Sequence, residues 1–289
     1  MQGKKRILTG LLAAAALMGA SQLAVARDLV IGIIPSEDNE EVLKTFEPMR
    51  VYLTEKIGQP VKVFTATDYA GVIEAMKKKR VDIAWYGPLS YYLAEEEANA
   101  QAFAVGIRTG TTSHTYQSIL LTACDSSLGS IADLKGKRAA FVDPASTSGG
   151  LMPSFMIKQQ TGLMPQQYFG KFTYAGSHDA AVLAVKNKTV DVAATNDLTY
   201  ERMLDKGLVT KQNTCVIATS PPMPGSPLAY RADLSDALKK QIQAAVLGMP
   251  AIEVAGFGKL SHFEAIAPAD FQVVRDMVKE LGLKKEQLK

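Results

Sequence analysis

The sequence is short of the residues on which most enzyme and metal chemistry depends. Its 289 residues include two cysteines, three histidines and one tryptophan, and aromatic residues make up only 7%. His114, His178 and His262 are scattered, and none stands at ligand spacing from another or from a cysteine, so no metal site is expected. There is no G-x-S-x-G elbow, no G-x-x-x-x-G-K-S/T phosphate loop, no G-x-G-x-x-G and no H-E-x-x-H. A Ser–His–Asp set could be assembled from Ser146, His178 and Asp191, but a chain this long offers such a trio by chance. No catalytic residue and no cofactor is expected. Beyond the N-terminus, no apolar run approaches the roughly 20 residues that a spanning helix needs. With 47% hydrophobic and 21% charged residues the chain is too apolar to be disordered, and long enough for one large or two medium domains.

Charge of one sign is scarce as well. The formal net charge is +3, which taken alone invites a nucleic-acid or acidic-membrane partner. Three of the 32 basic residues (Lys4, Lys5 and Arg6) and none of the 29 acidic ones lie in residues 1–26, so the remainder is formally neutral. No nucleic-acid partner is expected. The three basic residues precede an apolar run, Ile7 to Met18, that leads to Ala24-Val25-Ala26. A basic start, a short apolar stretch and an A-x-A site make a secretory signal peptide, cleaved after Ala26. A membrane anchor would need a longer run, and no cysteine near the site offers a lipid anchor. The mature protein is expected in a periplasm.

In an oxidising compartment the lone pair Cys124 and Cys215 is expected to form one disulfide, the alternative being two buried thiols.

Hydrophobic periodicity predicts an α/β chain. Leu29–Ile34, Pro60–Phe64 and Val81–Trp85 suit strands, separated by helices over Glu40–Ile57 and Tyr69–Lys79, which implies a parallel sheet covered by helices. The rhythm repeats with strands at Ser118–Thr122, Arg138–Val142, Phe172–Tyr174, Val190–Ala194 and Val216–Ala218, and helices at Gly149–Gln160 and Asp179–Asn187. A local echo links the halves. Ala75–Ala84 and Ala184–Ala193 each read as a helix end, a basic turn and a strand of the form apolar-Asp-apolar-Ala. Two similar lobes are therefore expected. Leu234–Lys289 reads as helices broken at Pro250 and Pro268, with no sheet of its own, packed back on the first lobe.

The most informative segment is Asp143-Pro144-Ala145-Ser146-Thr147-Ser148-Gly149-Gly150. It follows a strand and precedes a helix, so three hydroxyls meet the free N–H groups of a helix start, which suits a tetrahedral oxyanion. Simple N-capping would need one hydroxyl and not three in a row. Asp68-Tyr69, Tyr86-Gly87-Pro88 and His178 occupy comparable positions at strand ends, where α/β sheets bind ligands.

Together these segments resemble a known family. Thr67-Asp68-Tyr69-Ala70-Gly71-Val72-Ile73, Val81-Asp82-Ile83-Ala84-Trp85-Tyr86-Gly87-Pro88 and Asp143-Pro144-x-Ser146-Thr147-Ser148-Gly149 look like the phosphonate-binding family of periplasmic solute-binding proteins. So do His178 before its helix and Pro224-Gly225-Ser226-Pro227 late in the chain. The resemblance implies a type II periplasmic binding protein fold, two similar α/β lobes on a hinge, closing on a phosphonate-like or phosphite-like oxyanion for an inner-membrane ABC permease. It implies that Ser146, Thr147 and Ser148 bind the phosphoryl oxygens, that His178 donates another hydrogen bond, and that Tyr69 and Tyr86 reach across from the first lobe. Family members that grip an aminoalkyl group place an acid in the Pro-Gly-x-Pro turn, where this chain has Ser226; a second acid has no clear counterpart, although Asp197 is close. The departure weakens an aminophosphonate assignment and leaves phosphite, phosphate esters and small alkylphosphonates open. A periplasmic phosphoesterase using the same hydroxyls, or a binding protein feeding a sensor, are the alternatives. The expected division is 27–117 for the first part of lobe one, 118–221 for lobe two and 222–289 for the return to lobe one, in a monomer.

Overall fold

A computed structural model describes residues 27–289; the expected signal peptide and its cleavage site lie outside the described residues. The run Leu29–Ile33 forms strand β1, which pairs in parallel with β2 (Val61–Thr65) on one side and β3 (Ile83–Trp85) on the other. Helix α1 (Asn39–Ile57) starts where the Asp38 carboxylate accepts the N–H groups of Glu40 and Glu41. Its apolar positions Val42, Phe46, Met49, Leu53 and Ile57 are all buried, as the spacing predicts. Helix α2 (Tyr69–Lys77) leads into β3. The sequence pattern assigns no element to 88–108, yet α3 (Pro88–Ala98) and β4 (Ala100–Arg108) lie there.

The chain then enters a second sheet. It consists of β5 (Ser118–Ala123), β6 (Arg138–Phe141), β7 (Lys171–Tyr174), β8 (Val192–Asn196) and β9 (Thr214–Thr219), in the order β7-β6-β8-β5-β9. Helices α4 (Met152–Thr161), α5 (Pro165–Tyr168), α6 (His178–Lys186) and α7 (Asp197–Asp205) connect these strands. The chain returns through β10 (Pro227–Arg231), which inserts antiparallel between β3 and β4. Helix α8 (Asp236–Leu247), the hairpin of β11 (Ile252–Val254) and β12 (Gly258–Ala265), and helix α9 (Gln272–Leu281) follow.

The C-terminal segment corrects the sequence reading. It is not all helix: β11 and β12 lie within it and, with β10 before it, complete a seven-stranded sheet in the order β11-β12-β4-β10-β3-β1-β2. The physical reason is a bulge in β12, where the register against β4 shifts between Leu260 and His262. Because of it the buried Leu260 and Phe263 share a face three positions apart, a helix-like spacing.

The sequence echo has a structural counterpart. Asp82 accepts the Val30 N–H at 2.9 Å and Arg231 Nη2 at 2.9 Å; Asp191 accepts the Arg138 N–H at 2.8 Å and its Nη2 at 2.7 Å. Each aspartate stands just before a strand and ties the neighbouring strand's backbone to an arginine. Lys79 and Lys188, at equivalent places in the echo, have φ of 57° and 56°. The sulfurs of Cys124 and Cys215 are bonded, joining the end of β5 to the start of β9. Among the described residues, no helix is long and apolar enough to cross a membrane.

Candidate functional site

From the end of β6 the segment Asp143–Gly150 turns into a helix. Ser146 caps that helix, its Oγ accepting the Gly149 N–H at 3.0 Å. Thr147–Leu151 form one π-helical turn that runs into α4. The N–H groups of Thr147 and Ser148 therefore stand at a helix start, without intrahelical acceptors, at the positive end of its dipole. The turn is held by its backbone: Val142 N donates to the Gly149 carbonyl at 2.7 Å and Ser118 Oγ to the Ser148 carbonyl at 2.6 Å. Glycine is needed at 149, since a Cβ there would lie 2.2 Å from Val142 Cγ2.

Elements of the seven-stranded lobe face this turn. Tyr69 opens α2, which Asp68 caps by accepting the Gly71 N–H at 2.8 Å; the buried Tyr69 phenol lies near Ser146. At the start of α3 the Leu89 N–H donates to Thr147 Oγ1 at 2.8 Å. Tyr116, in the segment that crosses between the sheets, is buried with its phenol near Thr147 and Ser148. His178 opens α6 on the second lobe; its N–H donates to the Ser36 carbonyl at 2.9 Å and its Nδ1 lies 3.1 Å from Thr195 Oγ1. Three α-helix starts and the π turn thus converge between the lobes, and Ser146, Thr147, Ser148, Tyr69, Tyr116 and His178 are all buried.

The electrostatics are those of neutral donors. Burial raises Tyr69 well above the usual phenol range, with the Asp143 charge adding to it, and pushes Tyr116 up to about 12. Both remain phenols with a proton to donate. Burial pushes His178 down to about 3, so the imidazole is neutral. Asp143 rises to about 6, again through burial, while its carboxylate accepts the N–H groups of Ala145 at 2.7 Å and Tyr69 at 3.4 Å.

Two expected site residues stand elsewhere. The Tyr86 hydroxyl does not reach the cluster; it turns under α2 toward the Val72 carbonyl at 3.5 Å and Met76 Sδ at 3.6 Å. Its place at the cleft is taken by backbone, since the chain beyond it brings the Leu89 N–H to Thr147. Asp197 is committed to the lobe junction, its carboxylate bonded to Arg108 Nη1 at 3.0 Å and the Gln117 N–H at 3.0 Å. Ser226 borders a cavity of about 20 Å³ beside Trp85, His114, Tyr116, Leu198 and Phe257. The Trp85 and Phe257 rings stack there at 4.2 Å, and Trp85 Nε1 donates to the Ser226 carbonyl at 3.0 Å. Tyr116 and the Leu89 amide escape sequence reasoning: the first lies in a connection without periodicity, and the second acts through its backbone.

Comparison with known proteins gives this geometry a lineage. A family model described as the periplasmic substrate-binding protein of a phosphonate ABC transporter matches residues 31–271. The phosphonates-binding periplasmic protein of Escherichia coli K12 is 33% identical over 264 residues, covering 89% of this chain and 77% of the relative. A solved binding-protein component of an ABC phosphonate transporter from Pseudomonas aeruginosa superposes with a TM-score of 0.79 at 29% identity, covering 90% of this chain and 91% of that one. The PhnD1 protein of Prochlorococcus marinus, solved with methylphosphonate, has the same fold, with a TM-score of 0.77 at 21% identity over 88% of this chain and 98% of that one. With hydroxyls, phenols and helix starts gathered between two lobes, and a match along nearly the whole described chain, the protein belongs to the periplasmic phosphonate-binding family of ABC transporter substrate-binding proteins.

Proposed function

We propose that this protein captures a small phosphorus oxyanion in the periplasm and delivers it, as a monomer, to an inner-membrane ABC permease, without turning it over. The observation that carries the reading is the convergence of the Ser146, Thr147 and Ser148 hydroxyls with Tyr69, Tyr116 and His178 at four helical starts. A phosphoryl group has several acceptor oxygens and negative charge, and each of these groups offers a donor or a dipole. The oxyanion would take the place of contacts across the cleft such as that of the Leu89 N–H with Thr147 Oγ1. Closure excludes water, so neutral donors hold the charge strongly.

The substituent on phosphorus falls toward the cavity of about 20 Å³, which has room for about one water-sized group. Leu198 and stacked aromatic rings border it, Ser226 contributes no charge, and the nearby Asp197 is already paired with Arg108. This supports phosphite or methylphosphonate over 2-aminoethylphosphonate, whose ammonium would be buried without a free carboxylate.

Calorimetric titration with methylphosphonate and phosphite tests the site. Ser148→Ala and His178→Ala should each weaken binding at least about tenfold, about 1.4 kcal/mol, at an unchanged fold. Unaltered affinity in both variants would remove these residues from the site. A thermal-shift panel of phosphite, phosphate, methylphosphonate, 2-aminoethylphosphonate and sulfate tests the ligand class. A response to sulfate alone refutes the phosphorus reading, and release of product from a phosphonate or phosphate ester would make the protein an enzyme.

A further inference from the structure

The loop between β1 and α1 meets the second lobe at three consecutive residues. The Ser36 carbonyl accepts the His178 N–H, the Glu37 carboxylate is bonded to Arg202 Nη1 on α7, and the Asp38 N–H donates to Asp179 Oδ2 at 3.2 Å. The middle contact is an ion pair with side-chain exposures of 1% for Glu37 and 8% for Arg202, between a loop of the first lobe and a helix of the second. The β11–β12 turn completes it, the Gly256 N–H donating to Glu37 Oε1 at 2.8 Å. Only glycine fits there: φ is +80° and a Cβ would lie 1.9 Å from Ser36 Oγ. Around the pair, Arg202 Nη2 lies 3.1 Å from Glu41 Oε1, which Lys206 also contacts at 2.5 Å.

We propose that Glu37 and Arg202 form a closure latch, an ion pair between the lobes that sets ligand affinity by stabilising the shut form without touching the ligand. The inference rests on the reading above, that the lobes close on an oxyanion. Each lobe has a complete sheet without the pair, so its energy enters the difference between open and shut forms. In the open form both ions are hydrated; in the shut form they lose water and hold each other, with Gly256 satisfying a second carboxylate oxygen. Shutting also brings the Asp179 carboxylate of the second lobe against Glu37 and Asp38 of the first, and Arg202 is the cation that offsets this crowding. Burial pushes the Glu37 carboxyl up, Arg202 pulls it down, and Asp179 raises it again. The two halves of the latch are therefore unequal. Loss of Arg202 strands a buried carboxylate among others, whereas loss of the Glu37 charge leaves Arg202 with Glu41.

The emission of Trp85, the one tryptophan in the sequence, at the edge of the cleft, reports titration with methylphosphonate or phosphite. Arg202→Met should weaken binding about 30-fold or more, Glu37→Gln about tenfold, and the double variant Glu37→Gln/Arg202→Met should bind better than Arg202→Met alone. The melting temperature of the ligand-free protein should change little in any of them. Small-angle X-ray scattering should show a larger mean radius of gyration for Arg202→Met than for the wild type. Wild-type affinity in both single variants, independent losses in the double variant, a fall in ligand-free melting temperature that matches the lost affinity, or equal radii would each overturn the latch. If the wild type binds neither oxyanion, the proposed ligand class fails, and the radii still decide the latch.

Discussion

Replacing Cys124 and Cys215 together by serine should lower the melting temperature by roughly 5–10 °C while leaving ligand affinity unchanged. The bond closes a loop across a sequence separation of 91, for which the chain-entropy account gives a stabilisation of roughly 4–5 kcal/mol, an upper value in practice. It acts where the fold needs it. Strand β9 is the outer strand of its sheet, Val216 is 44% exposed, and the bond fastens the start of β9 to the end of β5. Affinity should hold because β5 separates the two ends of the lobe. Ser118, at its start, braces the oxyanion turn through the Ser148 carbonyl, and Cys124 lies about 20 Å away at strand rise. A double variant that melts within about 2 °C of the wild type, by scanning calorimetry, would show that packing alone holds the edge.

Acid stability should depend on His178 and Asp143 acting in opposite directions. His178 is held near 3 in the folded chain against an ordinary 6.5, so an unfolded chain takes up a proton that the folded one refuses. Its contribution is complete above about pH 6.5 and drains as pH falls toward 3, on the order of 4–5 kcal/mol in all. Asp143 does the reverse. With its carboxyl raised to about 6 against an ordinary 3.8, the folded chain takes up the proton first, and stability rises by roughly 3 kcal/mol as pH falls from 6 to 4. The two nearly cancel over that window; below it the histidine loss has no offset from Asp143 and is joined by carboxylates held low in the folded chain, such as Asp191 beside Arg138. Urea midpoints should therefore stay nearly level from pH 6 to 4 in the wild type. They should fall across the same range in Asp143→Asn, and the steep loss below pH 4 should soften in His178→Asn. Parallel curves for Asp143→Asn and wild type would remove the carboxyl from this balance.

Much of this architecture is legible in the chain because hydrophobic spacing and sheet position agree. The run of α1 from Val42 to Ile57 and the apolar strands β1 and β3 report their burial directly. The Ser146–Ser148 turn is legible for a different reason, since three hydroxyls before glycines exceed what capping requires. Elements fail to show where spacing and geometry part company. Helix α3 buries residues such as Leu89, Ser90, Tyr91, Leu93 and Ala94, and a helix covered on several sides presents no single apolar stripe. The bulge in β12 gives a strand the signature of a helix. Tyr86 illustrates the limit for sites: a polar residue at a strand end can turn to either side, and the space beneath α2 decided against the cleft. Glu37 and Arg202, 165 residues apart, carry no local pattern at all.

The double passage of the chain between the sheets also sets an order of assembly. The five-stranded sheet is contiguous, drawing on Ser118 to Thr219 alone, so it can form as soon as that stretch is free. The seven-stranded sheet has at its centre β10, whose Leu228 pairs with Trp85 across about half of the chain. Closing so distant a pairing is entropically slow, and until it happens β3 and β4 have lost their shared neighbour. Protection of amides against hydrogen exchange should accordingly appear first in β5, β6 and β8 and last in β10, and simultaneous protection would argue for one cooperative step. A core strand that arrives late leaves the larger sheet open at its centre until the smaller one is already in place.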